Sequence, residues 1–163
     1  MKIGKKMNDA FNDQIQAEFQ SAYLYLGMAA WFEDRDLPGF AHWMRKQYNE
    51  EVEHAMKMFD YVAGRGGRAE LKTVDAPQKE WKSPQDAFRQ TYDHEQSVTA
   101  RIYKLVDDAL AERDYASVEF LNWFVKEQVE EEDTAAGILA KLDMMGDCEA
   151  MLLLPLDAQL GAR

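Results

Sequence analysis

A single cysteine, Cys148, excludes an intrachain disulfide framework and a multi-cysteine zinc site. Proline and glycine are also scarce, at 4 and 9 in 163 residues, so long stretches lack the residues that interrupt helices. Positive charge is in deficit: 19 Lys and Arg against 30 Asp and Glu leave a net charge of −11. Nucleic acid and anionic membrane surfaces are excluded as partners, because both are recognised by basic patches; cations are favoured instead. The longest uncharged run, Phe19 to Phe32, is too short for a membrane span and contains Gln20 and Ser21. The basic start Met1-Lys2-Ile3-Gly4-Lys5-Lys6 leads into Asn8, Asp9, Asn12 and Asp13, where a secretory leader needs apolar residues. A reducing, cytoplasmic location is therefore expected.

What is present suits a globular, mostly helical chain: 47% apolar, 12% aromatic and 30% charged residues. One domain over residues 1–163 is expected from this length. Four long periodic segments stand out, at about Lys5–Glu33, Pro38–Ala63, Ser83–Glu112 and Tyr115–Met145. They are separated by Asp34-Arg35-Asp36-Leu37, by Gly64-Arg65-Gly66-Gly67 with an aperiodic stretch to Lys82, and by Arg113-Asp114. Ser83-Pro84-Gln85-Asp86 reads as an N-cap, a proline in the first turn and an early acid. The two short connections imply antiparallel hairpins, and the long middle link can span a helix in extended form. The fold expected is all-α: an antiparallel four-helix bundle with one long crossover, the ferritin-like topology. A short fifth helix over Glu149–Leu160, bent at Pro155, is expected after Gly146.

Acids interrupt the apolar stripes at regular places. Phe11, Glu18, Tyr25 and Phe32 are spaced by sevens and share one helix face. The matching lines are Met44, Glu51 and Met58, then Phe88, Glu95 and Ile102, then Phe124, Glu131 and Ile138. Each segment thus carries one glutamate midway along its hydrophobic face. A lone glutamate there is usually solvated or paired with a base, and an isolated ExxH pair occurs by chance. Four converging carboxylates are different, because uncompensated burial costs several kcal/mol each, roughly, and calls for cations. His54, three residues after Glu51, adds an imidazole on the same face. Carboxylate and imidazole without thiolate suit iron or manganese better than structural zinc.

Glu50, Glu127 and Glu130 each adjoin a core position and form a second acidic set around the first. Glu132 and Asp133 read as a solvated face. His42 and His94 fall off the ligand lines and are expected to be structural. Met7, Phe11, Tyr25, Met44, Met58, Trp123 and Phe124 are expected mainly in the core.

The combination of Glu18, Tyr25, Glu50-Glu51-Val52-Glu53-His54, Thr91-Tyr92-Asp93-His94-Glu95-Gln96 and Trp123 to Glu132 resembles the bacterial non-haem ferritins, from about Met7 to Met145. The resemblance implies iron storage with ferroxidase activity: Fe(II) oxidised by O₂ or H₂O₂ at an intrasubunit di-iron site, and ferric mineral kept in a hollow 24-subunit homo-oligomer. It implies a first iron at Glu18, Glu51 and His54, and a second at Glu95 and Glu131, with Glu51 bridging and Gln128 nearby. It further implies a third site at Glu50, Glu127 and Glu130, and electron donation from Tyr25, and from Trp123 beside it.

Bacterioferritins and rubrerythrins carry a second ExxH where this chain has Gln128 and Glu131, and bacterioferritins a haem-ligating Met where it has Val52. No haem is therefore expected. A rubrerythrin-like di-iron enzyme that reduces peroxide or transfers electrons as a dimer is the competing reading; a metal-free bundle is the third. The apolar tail, with Leu152, Leu153, Leu154 and Leu156, is expected to be buried between subunits.

Overall fold

Where the breakers fall, the chain turns. The computed structural model describes residues 2–146 and 150–162. It contains α1 (Lys5–Glu33), α2 (Pro38–Gly64), α3 (Pro84–Ala111), α4 (Tyr115–Met145) and α5 (Ala150–Gly161). The four long helices lie within a residue or so of the limits read from the sequence. Cys148 and Glu149, at the expected start of the tail, lie outside the described residues.

The first reversal uses Asp36 at φ 56°, and Pro38 then opens α2 without needing an N–H donor. Gly66 takes φ 67° just beyond α2, a left-handed position that a glycine fills without strain, and Gly67 N–H bonds back to Val62 O at 2.9 Å. Ser83 caps α3 by accepting from Asp86 N–H at 3.1 Å.

Asp114 caps α4 and does more. It accepts from Ser117 N–H at 3.3 Å and from Ser117 Oγ at 2.8 Å. Arg65, at the end of α2, donates to both of its oxygens, at 3.0 and 3.3 Å. Burial works against the charge, but these bonds hold its carboxyl below the usual range. One side chain thereby ties the α3–α4 turn to the end of α2. Asp114→Ala is expected to cost about 1–2 kcal/mol in urea denaturation, the scale of a lost cap with a broken ion pair. A change under about 0.5 kcal/mol would mean that the turn holds without it.

The crossover runs beside α1 in the same direction. Asn8 and Arg68 exchange backbone and amide bonds at 2.9 and 3.0 Å, and Asn12 accepts from Glu70 N–H at 3.0 Å. Gln16 donates to Thr73 O at 3.1 Å, and Gln20 exchanges bonds with Asp75 at 2.8 and 3.1 Å. These four side chains recur every fourth residue, so they share one face of α1. Further along, a Cβ on Gly27 would lie 3.0 Å from Pro77, so glycine permits the close pass.

The apolar interior falls into two clusters. One contains Tyr25, Met28, Phe32, Phe40, Met44, Phe88 and Ile138; the other contains Met7, Phe11, Ile15, Met58, Ile102, Leu121 and Phe124. The central glutamates of all four helices lie between them in sequence, at mid-helix. α5 continues through Pro155 and packs on α2 of its own chain. Leu153, Leu156 and Leu160 join the first cluster, while Leu154 stays exposed. Leu153, Leu156 and Leu160 are thus covered within the subunit, on α2, while Leu154 is left for a neighbour to cover. The cause is local: Asp157 Oδ1 accepts from Phe40 N–H at 2.9 Å and completes the first turn of α2.

Candidate metal centre

The thirteen apolar and acidic positions spaced by sevens along the four helices are all buried. Glu18, Glu51, Glu95 and Glu131 are 1%, 2%, 1% and 6% exposed, and His54 is 5% exposed. Such burial is sustainable only with compensation. Glu18, Glu51 and His54 each offer a ligand atom within 4.8 Å of the others, and among the described residues no other set of three does so. His54 Nδ1 stands 3.6 Å from Glu51 Oε2. Two buried carboxylate oxygens here, Glu18 Oε2 and Glu51 Oε2, accept no hydrogen bond.

The other carboxylates are held by neutral donors. Tyr25 O–H donates to Glu95 Oε1, and Gln128 Nε2 donates to Glu95 Oε2 at 3.2 Å. Gln47 Nε2 donates to Glu131 Oε2 at 2.9 Å, and Gln14 Nε2 to Glu18 Oε1 at 2.9 Å. Tyr25, Gln14, Gln47 and Gln128 are all buried. Gln14 and Gln47 went unassigned in the sequence. Their signal was available: each sits four residues before a central glutamate, so a polar amide shares the stripe.

Burial foremost, then repulsion from Glu18 and Glu95, drives Glu51 far above the carboxylate range. Burial raises Glu95 to about 7, against the opposing bonds from Tyr25 and Gln128. The Tyr25 phenol is pushed up by burial first and by Glu95 next. His94 behaves oppositely: burial, with help from Arg101, lowers it to about 4. It bonds Ser21 Oγ at 2.7 Å and meets Tyr25 edge-on, a structural placement as expected. His42 is half-buried on α2.

These shifts set a pH dependence for the metal-free protein. Between about 4.5 and 7 the folded chain keeps a proton on Glu95 that the unfolded chain has lost, so this contribution to stability falls as pH rises through that window. Glu95→Gln removes it. The metal-free variant is expected to gain Tm relative to wild type at pH 7.5 and to gain little at pH 4.5. Parallel Tm curves would show that Glu95 is not the group responsible.

Glu50 and Glu127 are half-buried and Glu130 is exposed. They do not converge as closely as Glu18, Glu51 and His54. Trp123 is 38% exposed, contrary to its expected core placement. Its ring meets His54 edge-on at 5.4 Å while Lys57 Nζ lies 3.3 Å over its face. Phe124 fills the interior in its stead, one position round the helix.

Four helices, one full-length crossover and a buried carboxylate–imidazole group at mid-height define a ferritin-like metal-binding bundle. Residues 8–145 match the ferritin-like domain, and the chain belongs to the ferritin family, whose members store iron. It is 44% identical to a bacterial non-heme ferritin of Bacteroides fragilis over 161 residues, covering 99% of each chain. A Staphylococcus haemolyticus bacterial non-heme ferritin is 40% identical, with 99% of this chain and 96% of that one covered. Among solved structures, an open-pore ferritin from the hyperthermophilic archaeon Archaeoglobus fulgidus is 51% identical. It covers 99% of this chain and 98% of that one, with a TM-score of 0.97. A closed form engineered from the A. fulgidus ferritin aligns equally well. No helix among the described residues is long and apolar enough to cross a membrane.

Proposed function

We propose that the chain, as one domain over residues 1–163, is a ferroxidase that oxidises Fe(II) between its helices and stores the product in a 24-subunit cage in the cytoplasm. The observation that carries this reading is the pair of buried carboxylate oxygens, Glu18 Oε2 and Glu51 Oε2, that accept no hydrogen bond beside His54. Buried anions without donors are stabilised by a cation. Iron enters as substrate. Glu18, Glu51 and His54 take the first Fe(II); Glu95 and Glu131 take the second, with Glu51 between them and Gln128 bonded to Glu95. Each Fe(II) gives one electron, and O₂ takes two together with two protons; H₂O₂ can serve in its place. Oxygen ligands favour the harder Fe(III) and so favour this oxidation. Tyr25, bonded to Glu95, is the side chain assigned as electron donor to the oxidised centre, returning one Fe(III) to Fe(II) as its proton passes to that carboxylate. The net charge of −11 per chain draws Fe(II) towards the shell.

Glu50, Glu127 and Glu130 form the third site, through which Fe(III) leaves for the cavity. Without a second ExxH, the second iron has only oxygen ligands and is released more readily than a resident cofactor. The test uses one sample. Size-exclusion chromatography should give a particle of hundreds of kilodaltons carrying iron; a dimer would favour the rubrerythrin-like enzyme. Two equal pulses of about two Fe(II) per chain then follow, separated by a rest. The fast phase is expected to recover, and Glu130→Ala to slow that recovery more than the first pulse. No recovery in wild type would identify the iron as a fixed cofactor.

A further inference from the structure

Gln14 lies one helical turn before Glu18 and is 2% exposed. Its Oε1 accepts from Arg101 Nε at 2.9 Å, and its Nε2 donates to Glu18 Oε1 at 2.9 Å. Arg101 comes from α3 and is itself anchored, donating from Nη2 to Asp13 O at 3.0 Å. A guanidinium has donors only, so the amide must turn its oxygen to Arg101 and its N–H₂ to Glu18. The reverse orientation would oppose donor to donor and set a carbonyl against a carboxylate. An exposed arginine thus decides which end of a buried amide meets the ligand. The second oxygen of Glu18, Oε2, is buried and accepts no hydrogen bond.

We propose that Gln14, oriented by Arg101, is a positioning residue that reserves one oxygen of Glu18, so that this glutamate binds the first iron through the other oxygen alone. The inference rests on the di-iron reading above. Single-oxygen ligation keeps a coordination position open for the oxidant. Arg101 bonds the amide and the Asp13 carbonyl, with the amide set between it and Glu18, so it supports the carboxylate without taking the place of iron as a direct salt bridge would. Second-layer hydrogen bonds of this kind orient metal ligands and set their affinity.

Anaerobic Co(II) titration of the full chain, read by visible absorption, tests this without turnover. Gln14→Leu and Arg101→Leu are compared with wild type and with His54→Ala, and the metal-free Tm of each is measured. Both clamp variants are expected to lose about tenfold in Co(II) affinity and to show weaker visible bands, as Glu18 closes onto the metal with both oxygens. Arg101 is exposed but donates to a buried oxygen, so its variant should lose only a few degrees of metal-free Tm, as Gln14→Leu should. If His54→Ala leaves Co(II) binding unchanged, the metal-site reading itself fails. If His54→Ala weakens binding while both clamp variants superimpose on wild type in affinity and spectrum, the site stands and the positioning role is overturned. An effect in Gln14→Leu that tracks a lower metal-free Tm and is absent in Arg101→Leu would overturn it too.

Discussion

His54→Ala and Glu131→Ala are each expected to slow the fast phase of Fe(II) oxidation by about 100-fold or more, while the bundle remains folded. Losing even a second-layer partner of a metal ligand costs about 10–100-fold, and these residues are the proposed ligands themselves. His54 is the one nitrogen donor in the group and sits 3.6 Å from the Glu51 carboxylate. Glu131 is one of two carboxylates proposed for the second iron, held at 2.9 Å by Gln47. Stability should respond weakly. Removing a buried acid in the absence of metal takes away a desolvation cost, which offsets the small cavity and the lost bond. Stopped-flow oxidation alongside thermal unfolding separates the two effects. Unchanged kinetics in either variant would remove that residue from the centre.

Truncation after Gly146 is expected to have the largest effect on stability. It uncovers the face on which Leu153, Leu156 and Leu160 pack, all at most 9% exposed. At about 1.5–3 kcal/mol per buried leucine the loss is about 5–9 kcal/mol, an upper bound because unfolded chains already bury some surface. For a chain of this size that is about 10–20 °C or more in Tm. It also leaves Phe40 N–H, at the start of α2, without its acceptor on Asp157. Gly39→Ala tests the same contact with one methyl group. The new Cβ would overlap the Asp157 backbone carbonyl, so α5 must move off α2. Overpacking of this kind costs about 1–3 kcal/mol. A truncated chain that assembles normally and melts at the wild-type temperature would show the tail to be dispensable.

The bundle was legible because each helix declares itself twice, by a stripe and by its ends. Glu18, Glu51, Glu95 and Glu131 stood out because a charge breaks an apolar line at the same relative height in all four helices. What holds those carboxylates was harder to read. Gln14, Gln47 and Gln128 sit on the same faces, but an amide's partner depends on which helix stands opposite: Gln47 reaches Glu131, across the bundle. Trp123 misled for a similar reason. Trp123 and Phe124 point about 100° apart on α4, and here packing gave the inward place to Phe124. The tail's apolar content was plain, but its seat on α2 was not, because the bond that anchors it there joins residues far apart in sequence, Phe40 N–H and Asp157.

The crossover carries a consequence for altering this protein. Long connections usually accept added residues at little cost, because closing a longer loop is only slightly harder. This one is stitched to α1 at residues 8, 12, 16 and 20, with partners at 68, 70, 73 and 75. An inserted residue would advance the extended chain by about 3.3 Å and throw every later stitch out of step with the helix. The longest stretch without helix behaves as a graduated strap and not as slack. A peptide or label grafted there would undo the seam, whereas the two-residue turn at Arg113-Asp114 fails for another reason, its cap on α4. Cargo for display belongs outside both.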